Sequence, residues 1–205
     1  MEVVDLSHTL RTGMPVYPGD ETVPVIRRLS EHGEGSHQSS ALVTGCHAGT
    51  HIDLPLHFRA GAPPLEDYPP EGCIGRARVF DVPQGRIPAD ALDGADLADV
   101  DFVLLRTGWE RHWGAPAYYR DWPWLEPGLA ERLAGAGLRG VGLDSPSIDP
   151  RGGQASHEIL AAAGLINVEN LANLDRLPDE GFLFAALPLK LEGAEASPVR
   201  AVALI

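Results

Sequence analysis

The sequence predicts an α/β fold, a single domain over residues 1–205 built on a mixed sheet. Strand-like runs and a few helical stretches follow one another without regular β-α-β alternation, which argues for mixed strand directions. At 205 residues the chain is long enough for one sizeable core. No repeat, low-complexity tract or shift of composition divides it.

Taken in order, residues 3–7 read as a first strand. A turn over 15–20 follows, where Pro18 presets φ and Gly19 takes a positive φ, as a type II turn requires. A strand over 23–29, a polar Gly-rich loop over 30–36 and a run over 39–44 lead into the central stretch, 46–58. Residues 59–72 carry prolines at 63, 64, 69 and 70 and read as an ordered surface loop. Strands are expected over 76–82 and 102–106, the second apolar enough for a central position, and a short Pro-initiated helix over 88–92. Residues 109–124 gather all four tryptophans with Tyr118 and Tyr119. Packing of a lid or subunit interface explains them better than a wall for an aromatic substrate, and His112 reads as a surface residue. An amphipathic helix over 126–136 shows Leu129, Leu133 and Ala136 on one face and ends at Gly137. A buried strand over 140–143 delivers a loop, 144–150, to the end of the sheet where α/β proteins bind ligands. Ser156 is placed to cap a helix running to Ala163, which puts His157 in its first turn. A short strand over 165–168 ends at Glu169, and strands over 182–191 and 199–205 close the chain.

The central stretch carries the chemistry. His47, His51, Asp53 and His57 all occupy odd positions, whereas the even positions hold Ala48, Thr50, Ile52, Leu54, Leu56 and Phe58. Successive side chains of an extended chain alternate between faces, so this segment is expected to show one face of imidazole and carboxylate and one apolar face. A helix would turn Asp53 and His57 away from the other two, and Gly49, Thr50 and Pro55 oppose one. His51 and Asp53 would lie roughly 7 Å apart at Cα, close enough to share an ion. His47 and His57 would be about 33 Å apart in a straight strand, so the chain must bend for all four to cooperate. Gly49 and Pro55 can bend it. Imidazole and carboxylate without thiolate favour zinc, or manganese, and Cys46 reads as a buried small residue.

The pattern HxGTHxDxPxH at 47–57 resembles the signature of the metal-dependent cyclase-like hydrolases. The resemblance extends over nearly the whole chain, through Asp5-Leu6-Ser7, residues 14–20, residues 143–149, His157, Glu169 and residues 197–200. It implies a swivelling β/β/α fold and a homodimer or homotetramer. It also implies that His47 and His51 bind one metal ion, that Asp53 bridges two, and that His157 and Glu169 complete the second site. His57 would be the catalytic acid/base, and the turn at 15–20 would let Tyr17 touch the substrate.

The implied reaction is metal-dependent amide hydrolysis with one or two divalent ions, zinc or manganese. Resemblance points to N-formylkynurenine, cleaved to formate and kynurenine, with isatin or another aryl or cyclic amide as the alternative. A metal-binding protein without turnover is the reading from a different class. His57, too far along the chain to join the first ligand pair without strain, has no purpose in such a protein. Composition agrees with a small-molecule substrate. Sixteen Lys and Arg against 29 Asp and Glu give 16 − 29 = −13, no footprint for nucleic acid or an anionic membrane. Two cysteines fit a reducing compartment. The acidic start has no signal-peptide character and no apolar run is long enough to span a membrane, so a cytoplasmic location is expected.

Overall fold

The computed structural model describes residues 1–33 and 35–205; of the loop expected over 30–36, Glu34 lies outside the described residues. The strands are β1 (Val3–Asp5), β2 (Val25–Ser30), β3 (Ser39–Val43), β4 (His51–Asp53), β5 (Ile74–Asp81), β6 (Arg86–Ile87), β7 (Phe102–Arg106) and β8 (Trp124–Leu125). Helix α1 (Pro127–Ala134) precedes β9 (Gly140–Leu143), and α2 (Ala155–Ala162) precedes β10 (Ile166–Glu169). Strands β11 (Phe182–Ala185), β12 (Ala196–Pro198) and β13 (Val202–Leu204) complete the chain.

Among the described residues, nine strands form one mixed sheet in the order β1-β13-β11-β5-β7-β9-β10-β4-β12. Its centre, β5-β7-β9-β10, is parallel, and both flanks are antiparallel. Strand β7 sits in the middle, as its apolar run predicts, and its alternation feeds two cores. Val103 and Leu105 join Val141 and Leu143 beneath Leu129, Leu133 and Leu160 of the two helices. Phe102 and Leu104 face the other way, into a cluster with Val4, Ile52, Val168 and Ala203. Val4 and Ile52 come from strands near opposite ends of the sheet yet share that cluster, so the sheet curls around it. Gly142 of β9 permits the close approach: a Cβ there would stand 2.7 Å from Leu104 Cδ2 and 2.8 Å from Leu171 Cδ1.

Strands β2 and β3 stand apart as a two-stranded hairpin. Val25, Ile26, Leu29, Leu42 and Val43 are all exposed on it. No helix among the described residues is long and apolar enough to cross a membrane.

Several local expectations change. Residues 88–92 form successive turns, closed by Ala91 N–H on Pro88 O and Asp93 N–H on Asp90 O. Five residues leave too few bonds to sustain a helix. Ser156 is not the cap of α2 but lies inside its first turn, its Oγ donating to Leu125 O. The strand expected over 182–191 ends at Ala185, and β12 follows as an edge strand, where Pro198 withholds no needed ladder donor.

Candidate metal centre

The extended central stretch survives only over β4; the chain bends on both sides of it. Gly49 makes the first bend. Its φ of +69° is open to glycine, and a Cβ there would meet Leu10 Cδ2 at 2.6 Å. Pro55 opens a single 3-10 turn, Pro55–His57, in which His57 N–H bonds Leu54 O at 3.0 Å. The two bends fold His47 and His57 back on each other, their ring centroids 4.3 Å apart. Within β4, Ile52 is fully buried in the core while His51 and Asp53 point together to the other face. Antiparallel pairing with β10 then sets Glu169 opposite His51 and Asn167 opposite Asp53. From α2, His157 enters the same space, with Nε2 3.2 Å from Glu169 Oε1 and 3.9 Å from Asp53 Oδ2.

All six residues expected at the site, His47, His51, Asp53, His57, His157 and Glu169, therefore meet. Two groups have ligand atoms mutually within 4.8 Å: His47, Asp53 and His57, and His51, Asp53 and Glu169. Asp53 belongs to both. The resemblance pairs His47 with His51, whereas the tightest groupings here place His47 with His57 and His51 with Glu169. Chain distance does not keep His57 from ligand range, because the bends remove it.

Each inner histidine presents one nitrogen to Asp53 or Glu169 and ties the other outward. His51 Nε2 faces Asp53 Oδ1 at 3.4 Å while Nδ1 donates to Gly49 O at 2.9 Å. His157 turns Nδ1 to Asp149 Oδ2 at 2.7 Å. His47 Nδ1 lies 2.8 Å from Asp53 Oδ1, and its Nε2 lies 3.0 Å from Glu195 Oε1. Asp149 also accepts the N–H groups of Ser156 and His157, at 2.9 and 3.0 Å, so one carboxylate caps α2 and orients its histidine. His57 is exposed and has no hydrogen bond of its ring among those of the described residues.

Electrostatics separate the groups further. Burial disfavours charge on His157, but Asp149, Glu169 and Asp53 outweigh it and raise its pKa to about 10. His47 rises to about 9 against burial, through Asp53 and Glu195. Burial works against ionisation of Asp53 too, yet His51 and His47 hold its carboxyl well below the usual range. His57 moves the other way: although the residue keeps solvent contact, partial desolvation of its ring, helped by the charges of His47 and His157, lowers its pKa despite Asp53.

The donor set fits a divalent ion. Asp53 Oδ1 is buried and has no hydrogen-bond partner, although His47 Nδ1 faces it at 2.8 Å off hydrogen-bonding geometry. Once that nitrogen is deprotonated, it and the oxygen direct lone pairs into common space, which a divalent cation satisfies. Imidazole and carboxylate donors suit zinc or manganese. Beside them opens a cavity of about 610 Å³, with Tyr17, Asp20, Phe58, Tyr119 and Ser147 on its walls. Phe58 stacks on His157 with ring centroids 4.5 Å apart, and Tyr17 packs edge-on against Trp122. The expected turn at Pro18-Gly19 forms, closed by Asp20 N–H on Tyr17 O at 3.0 Å, and it brings Tyr17 to the cavity.

Sequence reasoning missed Asp149, Glu195, Asn170 and Tyr118. Only the loop at the end of β9 pointed toward Asp149; nothing local marks the others.

Comparison with known proteins agrees with the geometry. The family described as "Putative cyclase" matches residues 4–150. A kynurenine formamidase of Salinibacter ruber is 32% identical over 213 residues, which cover 98% of this chain and 97% of the relative. Isatin hydrolase A from Labrenzia aggregata, solved with benzyl benzoate, superposes at a TM-score of 0.89 and 25% identity, over 100% of this chain and 93% of that one. A structure from Bacillus stearothermophilus described as a "predicted metal-dependent hydrolase" aligns at a TM-score of 0.83 and 31% identity, over 98% and 97%.

Proposed function

This chain belongs to the cyclase family, and from that premise we propose that it is a metal-dependent amidohydrolase that cleaves N-formylkynurenine to formate and kynurenine. One observation carries the reading. His47, His51 and His157 each have their outer nitrogen tied down, while His57 stands in the same cluster with neither ring nitrogen engaged among the described residues. Metal-ligating histidines bond a carbonyl or carboxylate through the second nitrogen, whereas a group that moves protons needs a free one.

His47, His51, Asp53, His157 and Glu169 would hold one or two divalent ions, zinc fitting the donors best and manganese also fitting. Bound there, the metal supplies Lewis acidity, lowering the pKa of water toward neutrality and polarising the amide carbonyl. The chain's own residues do the rest. His57, whose partly desolvated ring favours the uncharged form, takes a proton from the attacking water as oxygen bonds to the formyl carbon. It returns that proton to the nitrogen as the C–N bond breaks, so formic acid and a neutral arylamine leave, and the acid gives up its remaining proton to solvent as formate. Tyr17, Phe58 and Tyr119 supply aromatic walls for the arylamine. Asp149, Glu195 and the Gly49 carbonyl hold the imidazoles at fixed orientation.

Purified protein supplied with zinc or manganese should release formate from N-formylkynurenine and cease when chelated. A formyl arylamide should be cleaved much faster than its acetyl analogue, since one methylene is worth about 1–3 kcal/mol in a fitted pocket. Turnover of isatin with none of the formyl compound would favour the second reading, which the fold match to isatin hydrolase supports. Metal binding with no turnover of either would leave a non-catalytic protein.

The apolar hairpin β2–β3 supports a homodimer or homotetramer, because an uncovered two-stranded hairpin is marginal in water. The free cysteines, Cys46 and Cys73, suit the cytoplasm. Light scattering of Leu42→Glu should report a smaller particle than wild type; an unchanged mass would remove the hairpin from the interface.

A further inference from the structure

The aromatic segment 109–124 makes contacts that packing alone does not require. Tyr118 is fully buried, and its hydroxyl donates to Asn170 Oδ1 at 2.8 Å. Trp109 Nε1 fixes the Tyr118 carbonyl at 2.9 Å. Asn170 immediately follows Glu169 and adopts a left-handed φ of 57°, a conformation asparagine tolerates better than most residues. Its amide orientation is not free. Nδ2 lies 2.9 Å from Gly49 O, which must receive a donor, so Oδ1 faces the tyrosine. The Gly49 carbonyl accepts a second bond, from His51 Nδ1 at 2.9 Å. Both of its lone pairs are then engaged; Asn170 Nδ2, also 3.3 Å from His51 Nδ1, donates to the nearer carbonyl, and the proton on His51 resides at Nδ1.

We propose that Tyr118 and Asn170 are positioning residues for His51. The Tyr118 hydroxyl fixes the Asn170 amide, the amide fixes the Gly49 carbonyl, and that carbonyl keeps the imidazole in the tautomer that leaves Nε2 bare toward Asp53 and Glu169. Segment 109–124 is thus a brace for the metal ligands. Its Trp122 reaches the other arm, donating through Nε1 to the backbone carbonyl of Asp149, the partner of His157. Neither Tyr118 nor Asn170 needs to touch the substrate for this.

The inference rests on the metal-dependent reading, and a zinc titration separates the two. Metal-stripped wild type, Tyr118→Phe, Asn170→Gly and the double variant are titrated with zinc alone, with the melting temperature of each metal-free protein recorded. Glycine keeps the left-handed backbone open, and phenylalanine removes only the hydroxyl. Removing outer partners of metal ligands costs about 10–100-fold in metal affinity. Asn170→Gly should lose affinity in that range and Tyr118→Phe should lose at least severalfold. The double variant should bind no more weakly than Asn170→Gly, because the hydroxyl acts through the amide.

Wild-type affinity in folded Tyr118→Phe, whatever its melting temperature, would reduce the chain to structural packing and overturn the proposal. Additive losses in the double variant would overturn the route through Asn170. Should Asn170→Gly fail to fold, Tyr118→Phe decides alone. Absence of zinc binding by wild type would sink the metal reading itself, an outcome distinct from the others.

Discussion

His157 and His57 face the same carboxylates with ring centroids 6.2 Å apart, yet they are held in opposite ways. His157 is buried in the first turn of α2, its backbone N–H and Nδ1 both bonded to Asp149. Every degree of freedom of that ring is spent on orientation. His57 is exposed at the end of a three-residue 3-10 turn, without a bond to either ring nitrogen among the described residues. The carboxylates beside His157 favour its charge and outweigh its burial, whereas partial desolvation of the ring and neighbouring cations disfavour charge on His57. Two histidines from one cluster thus acquire different chemistry from their supports. The difference teaches that distance to the carboxylates does not distinguish ligand from proton carrier; the bonding of the far nitrogen does.

Asp53 underlies both sides of the comparison, so its replacement should have the largest effect. Asp53→Ala should lose bound metal and drop hydrolysis to background, because both candidate ligand groups include this carboxylate. Elemental analysis checks it, and undiminished metal would end the bridging role.

His57→Ala tests the proton-moving side. The turnover number should fall by roughly 10²- to 10⁴-fold while metal per subunit and melting temperature stay at wild-type values. Loss of metal would instead make His57 a ligand beside His47 and Asp53, a position its geometry permits. Unchanged values for both would erase the comparison altogether.

Asp149→Asn sharpens the other side. Asparagine keeps one acceptor for the Ser156 N–H at the start of α2 but removes the charged oxygen behind His157. Metal affinity should fall about 10–100-fold, measured by zinc titration, with little change in the helical signal by circular dichroism.

The smallest effect concerns metal-free protein and pH. His47 and His157 have folded pKa values of about 9 and 10, above the ordinary 6.5. Groups raised in this way contribute stability fully below pH 6.5 and lose it as pH climbs through 9 and 10. The melting temperature of the metal-free protein should therefore decline between pH 6.5 and 10, by about 2–4 °C for each kcal/mol lost. Zinc affinity should move the opposite way and strengthen over the first part of that range, since the metal binds deprotonated nitrogens. Scanning calorimetry with and without zinc checks both, and parallel pH profiles would count against the assignment.

The sequence by itself determined which residues could do the chemistry. Alternation over 47–57 set polar donors against an apolar face, and β4 realises it, with Ile52 in the core and His51 and Asp53 across from it. A continuous apolar run pointed β7 to the centre of the sheet, and Pro-Gly turn chemistry put Gly19 in its turn. Gly49 and Pro55 were recognisable as bends, because backbone sterics are a property of single residues. Their directions were not, and direction is what brings His57 to His47. Tertiary structure alone decided that Glu169 stands opposite His51, through the register of β10 on β4. It also decided that Asp149, not Ser156, caps α2, that Glu195 backs His47, and that Tyr118 reaches Asn170. The physical reason is common to all of these. Periodicity and turn propensity act over a few residues, whereas a hydrogen bond between distant segments exists only once sheet register and core packing have placed both partners.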